Sequence, residues 1–238
     1  MHRFAPKLAI TDAKGWLPSN YRRWVSMIRY WNRLILFDDN RLTKRVFNMD
    51  YNKCRNNWCS DLKTVMSNLN LINHFENKSI IHIDTVKNKI NEYYSNIWKA
   101  DVTKVSKLRT YTTFKDNFET EQYVLLNLNK RERSLLAQFR CGILPLRVET
   151  GRYVGEPPEQ RLCSFCNQIQ IEDERHFLIQ CTFYNDIRTD VFNDQFSNIQ
   201  FNILNDVEKL RYLVKNVPRK VAKYIVKACM RRRNALYN

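Results

Sequence analysis

The sequence predicts a mostly α-helical protein, an irregular multi-helix bundle with a small cysteine- and histidine-bearing module towards its C-terminus. Three observations carry that expectation. Only four glycines and six prolines occur in 238 residues, too few for many short strands joined by tight turns, which draw on glycine for positive φ. Apolar residues recur along much of the chain at helical rather than alternating spacing. A composition 44% apolar and 13% aromatic is that of a chain that packs a core. The length suits one large domain or two small ones, and two are expected.

From Pro18, the residues Tyr21, Trp24, Val25, Ile28, Trp31 and Ile35 form one stripe, with Arg22, Arg23, Arg29 and Arg33 largely between them. This predicts an amphipathic helix opened by Ser19 or Asn20 and broken at Phe37-Asp38-Asp39-Asn40. Leu42, Val46 and Met49 predict a second, short helix; Trp58, Leu62, Val65, Met66 and Leu69 predict a third. Asp84 reads as the N-cap of a fourth, carried by Val86, Ile90, Tyr93, Ile97 and Trp98 to about Lys99, with Ile80, Ile81 and Ile83 as a short-strand candidate before it. Arg131 to Cys141 reads helical through Leu135, Leu136 and Phe139, and Gly142 supplies the stop. Pro145 to Pro158 is the clearest loop. Helix resumes around Ile171 to Ile179, again at Tyr184 to Phe196, and lastly from Pro218, a good first helical residue, through Val221, Tyr224, Ile225 and Ala228. Four regions are expected: basic helices over 1–100, a connector and loop over 101–156, the cysteine module over 157–205, and basic helices over 206–238.

Forty Lys and Arg against twenty-four Asp and Glu leave +16, a surplus that repels itself unless a polyanion shares the surface. Nucleic acid, RNA or DNA, is the first candidate partner and an anionic membrane the second. The excess is uneven: +6 over residues 1–50, +8 over 206–238, but −4 over 157–205. The expected nucleic-acid-binding residues are therefore Arg22, Arg23, Arg29 and Arg33 near one end, and Arg219, Lys220, Lys223, Lys227, Arg231, Arg232 and Arg233 near the other. Trp24, Tyr30 and Trp31 beside the first set suit stacking on single-stranded bases, although Trp24 and Trp31 suit a core better. No apolar run approaches the roughly 20 residues that span a bilayer, and Met1 to Ile10 lacks the apolar stretch of a secretory signal. An intracellular protein of nucleus or cytoplasm is expected, with no membrane and no small-molecule substrate.

Seven cysteines, an odd number in an intracellular chain, are core filler or metal ligands rather than a disulfide framework. Cys163, Cys166, His176 and Cys181 follow the spacing C-x2-C-x9-H-x4-C. A tight turn brings both sulfurs of a CxxC pair to one side, and zinc favours four nitrogen or sulfur ligands in a tetrahedron. Four protein ligands close the shell, so one structural Zn2+ is expected. An unbroken helix would turn Cys181 about 140° away from His176, so the helix is expected to end or tighten before Cys181. Phe165, Phe177 and Leu178 would wall the site. The alternatives are ordinary core cysteines and a redox CxxC, the latter lacking the βαβ context it needs.

The run GRYVGEPPEQRLCSFCNQIQIEDERHFLIQCTFYNDIR resembles the zinc-binding region that follows the reverse transcriptase domain in LINE-type (non-LTR) retrotransposon polyproteins. YRRWVSMIRYWNRL, YNKCRNNWCSDLK and KLRTYTTFK are similar to segments of the same class of polyprotein. The resemblance implies Cys163, Cys166, His176 and Cys181 as the ligands, and a role in gripping element RNA or target DNA during reverse transcription. The polymerase fingers and palm have no counterpart here, so a nucleic-acid-binding, zinc-containing C-terminal fragment without its own catalytic site is expected.

Two other function classes stay open: a metal-dependent, restriction-like endonuclease and a zinc-stapled protein-interaction scaffold. Asp186, Asp190 and Asp194 fall at i, i+4 and i+8 on one helix face, as clustered metal-binding carboxylates would, but no lysine lies between Lys130 and Lys209. A solvated face explains them better. Leu36-Phe37-Asp38-Asp39 approaches the polymerase aromatic-x-Asp-Asp signature in the wrong register and reads as a polar break. Cys54, Cys59, Cys141, Cys229, His74 and His82 read as structural. No Gly-rich phosphate loop, G-x-S-x-G or H-E-x-x-H is present.

Overall fold

A computed structural model of the chain describes residues 6–237, so part of the Met1 to Ile10 stretch lies outside the described residues. About 70% is helical and no strand occurs among the described residues, only the isolated antiparallel bridge between Leu162 and Ile171. The irregular helical bundle expected from the composition is therefore the fold. The chain divides into two compact units. Helix α1 (Lys7–Ala13) and Asp101–Asn238 belong to one, and Trp16–Ala100 forms the other. No helix among the described residues is long and apolar enough to cross a membrane.

The Trp16–Ala100 unit contains α2 (Ser19–Leu36), α3 (Leu42–Lys53), α4 (Trp58–Asn68) and α5 (Ile72–Glu76), and most of α6 (Ile83–Val102). The predicted stripe of α2 supplies Ile28, Trp31 and Leu34 to the core, where they meet Phe47, Leu62, Met66, Phe75 and Ile90. Trp31 stacks on Phe75 with centroids 5.3 Å apart and donates its indole N–H to the Ser79 carbonyl at 3.1 Å. A buried Trp needs both an apolar bed and a partner for that N–H. After α2 the Asp38 carboxylate accepts the Asn40 N–H at 2.9 Å, the Asx turn of a polar break.

The short helix expected from Leu42, Val46 and Met49 forms as α3, with those three residues on its solvent face and Lys44 and Phe47 buried. Lys44 Nζ donates to the Leu34 and Ile35 carbonyls at 2.8 and 2.9 Å, satisfying acceptors that the end of α2 leaves open, and Phe47 meets Trp31 edge-on. Those contacts outweigh the aliphatic stripe. Ile80 to Ile83 forms no strand; instead the Asn32 amide donates to the Ile81 carbonyl and accepts its N–H, at 2.7 and 2.9 Å. One side chain does the work of a paired strand.

In the other unit, short helices α7 (Tyr111–Phe114) and α8 (Gln122–Leu125) precede α9 (Lys130–Arg140) and α10 (Arg147–Tyr153). After the cysteine module come α11 (Asn185–Phe196), α12 (Ile199–Asn202), α13 (Asp206–Asn216) and α14 (Pro218–Tyr237). Asn129 and Glu132 form a capping box at the start of α9. Gly142 ends the turn after it at φ +63°, where a Cβ would lie 2.1 Å from the Lys107 carbonyl. The stretch expected to be a loop, Pro145 to Pro158, contains α10. Its N-terminal donors are satisfied from the module: Arg147 N–H by the Glu172 carboxylate at 2.8 Å, and Val148 N–H by the Glu172 carbonyl at 3.1 Å. Helix α14 packs against α9, α11 and α13. Tyr224 on α14 meets Phe177 and Tyr184 edge-on.

Candidate metal centre

The first half of the module, Arg161 to Glu172, is a knuckle closed on itself. Cys163 N–H donates to the Gln170 carbonyl at 2.8 Å and Glu172 N–H to the Arg161 carbonyl at 3.0 Å. Inside the turn that the first of these bonds closes, Ile169 takes φ +50°, and Cys163 and Cys166 come within reach of the same point.

The second half begins where Asp173 Oδ1 accepts the His176 N–H at 2.7 Å. His176–Gln180 then forms a π-helical turn in which Cys181 N–H donates to the His176 carbonyl at 2.8 Å, an i to i+5 bond. A π turn carries one residue more than an α turn, so Cys181 rises over His176 instead of rotating away. The helix does end at Cys181, as its spacing requires, but by widening rather than tightening. Outside partners hold the widened turn. Tyr224 Oη donates to the Phe177 carbonyl at 2.6 Å, and buried Arg188 donates to the carbonyls of Leu178 and Cys181 at 2.9 and 2.8 Å.

These two halves bring the ligand atoms of Cys163, Cys166, His176 and Cys181 within 4.8 Å of one another. Cys163 and Cys181 Sγ are 3.8 Å apart, and Cys166 Sγ lies 3.4 Å from His176 Nε2. A tetrahedron with metal–sulfur bonds near 2.3 Å has edges of about 3.8 Å, whereas a disulfide would need about 2.05 Å. The four residues can hold one metal ion. His176 Nδ1 faces Gln170 Oε1 at 3.2 Å, which leaves Nε2 as the free lone pair, the orientation that metal-binding histidines obtain from such a partner. The hydrogen bond from Cys181 holds the Cys163 thiol well below its ordinary range, while the same bond and burial push Cys181 up. A metal would take all three sulfurs as thiolates and expel the remaining protons.

Around the cluster lies a layer that the sequence did not disclose. Buried Glu172 is held by both terminal nitrogens of buried Arg232, sixty residues later. Burial pushes its carboxyl upward and Arg232 opposes that shift. Buried Glu174 accepts from Arg109 at 2.8 and 3.0 Å and from Thr110 at 2.7 Å. Glu172 and Glu174 thus pair with arginines distant in sequence, while Asp173 between them accepts the first N–H of the following turn. Phe177 and Leu178 are fully buried; Phe165 is half-buried, stacked on Phe183 at 5.1 Å. No local signal marks Arg232, Arg109 or Arg188 as supports, because their partners are remote in sequence or are main-chain carbonyls.

The structure separates the two sets of expected nucleic-acid-binding residues. Arg22, Arg23, Arg29 and Arg33 are exposed, and none has an ion pair or side-chain hydrogen bond among the described residues. Tyr30 beside them is 41% exposed and set edge-on to Trp58, Trp24 is half-buried against Tyr21 and Tyr93, and Trp31 belongs to the core. On α14 the expectation of one open strip is corrected. Arg232 is buried on Glu172, and Lys220, Lys227 and Arg231 pair with Asp194, Asp190 and Asp186 of α11. Complementary charges on packed neighbours meet, which a single helix cannot reveal. Among the described residues, Arg219, Lys223 and Arg233 of that set stay exposed and unpaired. The same pairs account for the three carboxylates, whose side chains stay largely exposed. Arg231 draws Asp186 down to about 2, and Lys220 lowers Asp194.

Buried Cys59 and Cys141 are core thiols pushed up to about 11 by burial, and His74 is held by the Ser79 hydroxyl at 2.8 Å. Comparison with family models, curated proteins and solved structures finds no match to this chain.

Proposed function

We propose that the chain is a nucleic-acid-binding protein stapled by one structural zinc ion, of the kind its sequence resembles: the region after the polymerase in LINE-type retrotransposon polyproteins. In this reading it engages RNA or target DNA and has no catalytic site of its own. The observation that carries it is the pairing of a closed Cys3His cluster with a row of unpaired arginines on α2. Three sulfurs and one imidazole nitrogen are the donor set of structural zinc, and four protein ligands leave no position for water. When bound, zinc would supply charge neutralisation for three thiolates and a cross-link between the two halves of the module.

On α2, Arg22, Arg29 and Arg33 recur at i, i+7 and i+11 and so share one face. A row of guanidinium groups at that spacing suits successive phosphates, with Arg23 and Tyr30 on the adjoining face. The test is metal analysis followed by titration of labelled single-stranded RNA at several salt concentrations. One zinc per chain is expected. Affinity should fall steeply with salt, and Arg22→Gln/Arg29→Gln/Arg33→Gln should lower the slope of log K against log salt by about 2, at roughly 0.7 per phosphate contact. A flat salt response in the unmodified chain refutes the nucleic-acid reading; absence of metal refutes the zinc reading.

A further inference from the structure

A cavity of about 1190 Å³ among the described residues is a groove between α9, α10, the C-terminal end of α14 and the tip of the cysteine knuckle. No acidic side chain lines it, against five basic ones. Two of those are already engaged, Arg147 by Glu156 and Arg232 by Glu172. Lys130, Arg131 and Arg233 are exposed and unpaired among the described residues, so the rim keeps three free cations on two facing helices. Leu135, Phe165, Leu236 and Tyr237 add apolar surface to its lining. The volume exceeds the roughly 300–1,000 Å³ usual for small-molecule pockets, which suits a stretch of polymer rather than a compact ligand.

We infer that this groove binds single-stranded nucleic acid, with phosphates on Lys130, Arg131 and Arg233 and an unpaired base stacked on Tyr237. The inference rests on the nucleic-acid reading above and gives it a second, separate contact surface. Charge selects a polyanion, since a rim with free cations and no carboxylate attracts one sign only. The apolar lining selects single strands, because a duplex offers phosphates there and keeps its bases stacked inside. Tyr237, 82% exposed, has ring faces to offer. Phe165 does not: Phe183 stacks on its ring and the Arg232 guanidinium lies 4.6 Å from its centroid. Phe165 is accordingly a wall, and the knuckle between Cys163 and Cys166 contributes shape rather than stacking.

The test uses the full chain, zinc-loaded, with fluorescein-labelled twelve-nucleotide oligo(U) and oligo(dT) followed by anisotropy across a salt series. Lys130→Gln/Arg131→Gln should lower the salt slope by about 1.4 and weaken binding on the order of tenfold at 0.1 M salt. Tyr237→Ala should weaken binding at least about fivefold with the slope unchanged, the signature of lost stacking. All three positions are exposed, so the melting temperature should hold and serves as the folding control. Wild-type affinity and slope in the double variant, while the α2 triple variant is impaired, overturns the groove and leaves the general reading standing. If the double variant instead loses oligo-glutamate binding by the same factor and Tyr237→Ala loses neither ligand, the groove takes acidic protein segments and the inference falls. Failure of the unmodified chain to bind either oligonucleotide removes both readings together.

Discussion

The two units treat charge in opposite ways. Trp16–Ala100 packs an aromatic and aliphatic core, leaves its α2 arginines in water and buries one charged residue, Lys44. The unit carrying the cysteine cluster buries Asp12, Lys115, Glu121, Arg140, Glu149, Glu172, Glu174, Arg188 and Arg232. In the first, the α2 arginines counted in the sequence are available to a partner. In the second, much of the positive charge is spent inside the fold, holding the supports of the metal cluster and tying α14 to α11. Net charge therefore overstates what α14 offers outward and describes α2 fairly.

Metal removal should separate the units most sharply. Structural zinc in small fingers contributes apparent binding energies of about 10–16 kcal/mol, and all four ligands lie in one unit. Chelation, or Cys181→Ser, should strip hydrogen-exchange protection from α14 and leave that of α4 unchanged. Equal and simultaneous loss in both helices would break the contrast.

A smaller effect is expected from Arg232→Met. It leaves Glu172 buried without its partner, a change that costs about 3–5 kcal/mol, read as a lower urea midpoint. Adding Glu172→Gln should restore much of that loss, since the amide removes the buried charge and keeps an acceptor for the Arg147 N–H. A double variant as unstable as the single one would mean that the pair acts through something other than charge burial.

The mildest test is a pH profile. Burial raises the Asp12 carboxyl from its ordinary 3.8 to about 6, against the hydrogen bond from Tyr111 and the charge of Lys115. Between those values the folded chain binds more protons at Asp12 than the unfolded chain does. The Asp12 contribution to stability is therefore present at low pH and declines as pH rises from about 4 to above 6, by about 3 kcal/mol. Asp12→Asn should flatten that part of the profile. An unchanged profile would show that Asp12 is better compensated by its neighbours than its burial implies.

Much of the helical layout was legible in the chain. The α2 stripe, the Asx break after it, the Gly142 stop and the Pro218 start are local devices, and local rules read them. The cluster of Cys163, Cys166, His176 and Cys181, which could hold a metal, was legible too, because a tight CxxC turn and a following helix confine the four residues to a short span. Where reading failed, a distant partner had intervened. Leu42, Val46 and Met49 marked the α3 helix, but its buried side was not legible, because Lys44 and Phe47 have partners on α2 that the period does not encode. Helix α10 was hidden because its first donors are satisfied by Glu172, beyond the Gly and Pro residues that suggested a loop.

By itself the sequence determined a helical protein with a four-ligand cluster and a large positive charge, since periodicity, ligand spacing and composition are properties of neighbouring residues. Tertiary structure alone decided how the ring of His176 and the sulfur of Cys181 come together, through a π turn held by Arg188 and Tyr224. It also decided which cations remain free. Hydrogen bonds and ion pairs across sixty residues are set by which helices pack together, and a one-dimensional count of charges contains no distances.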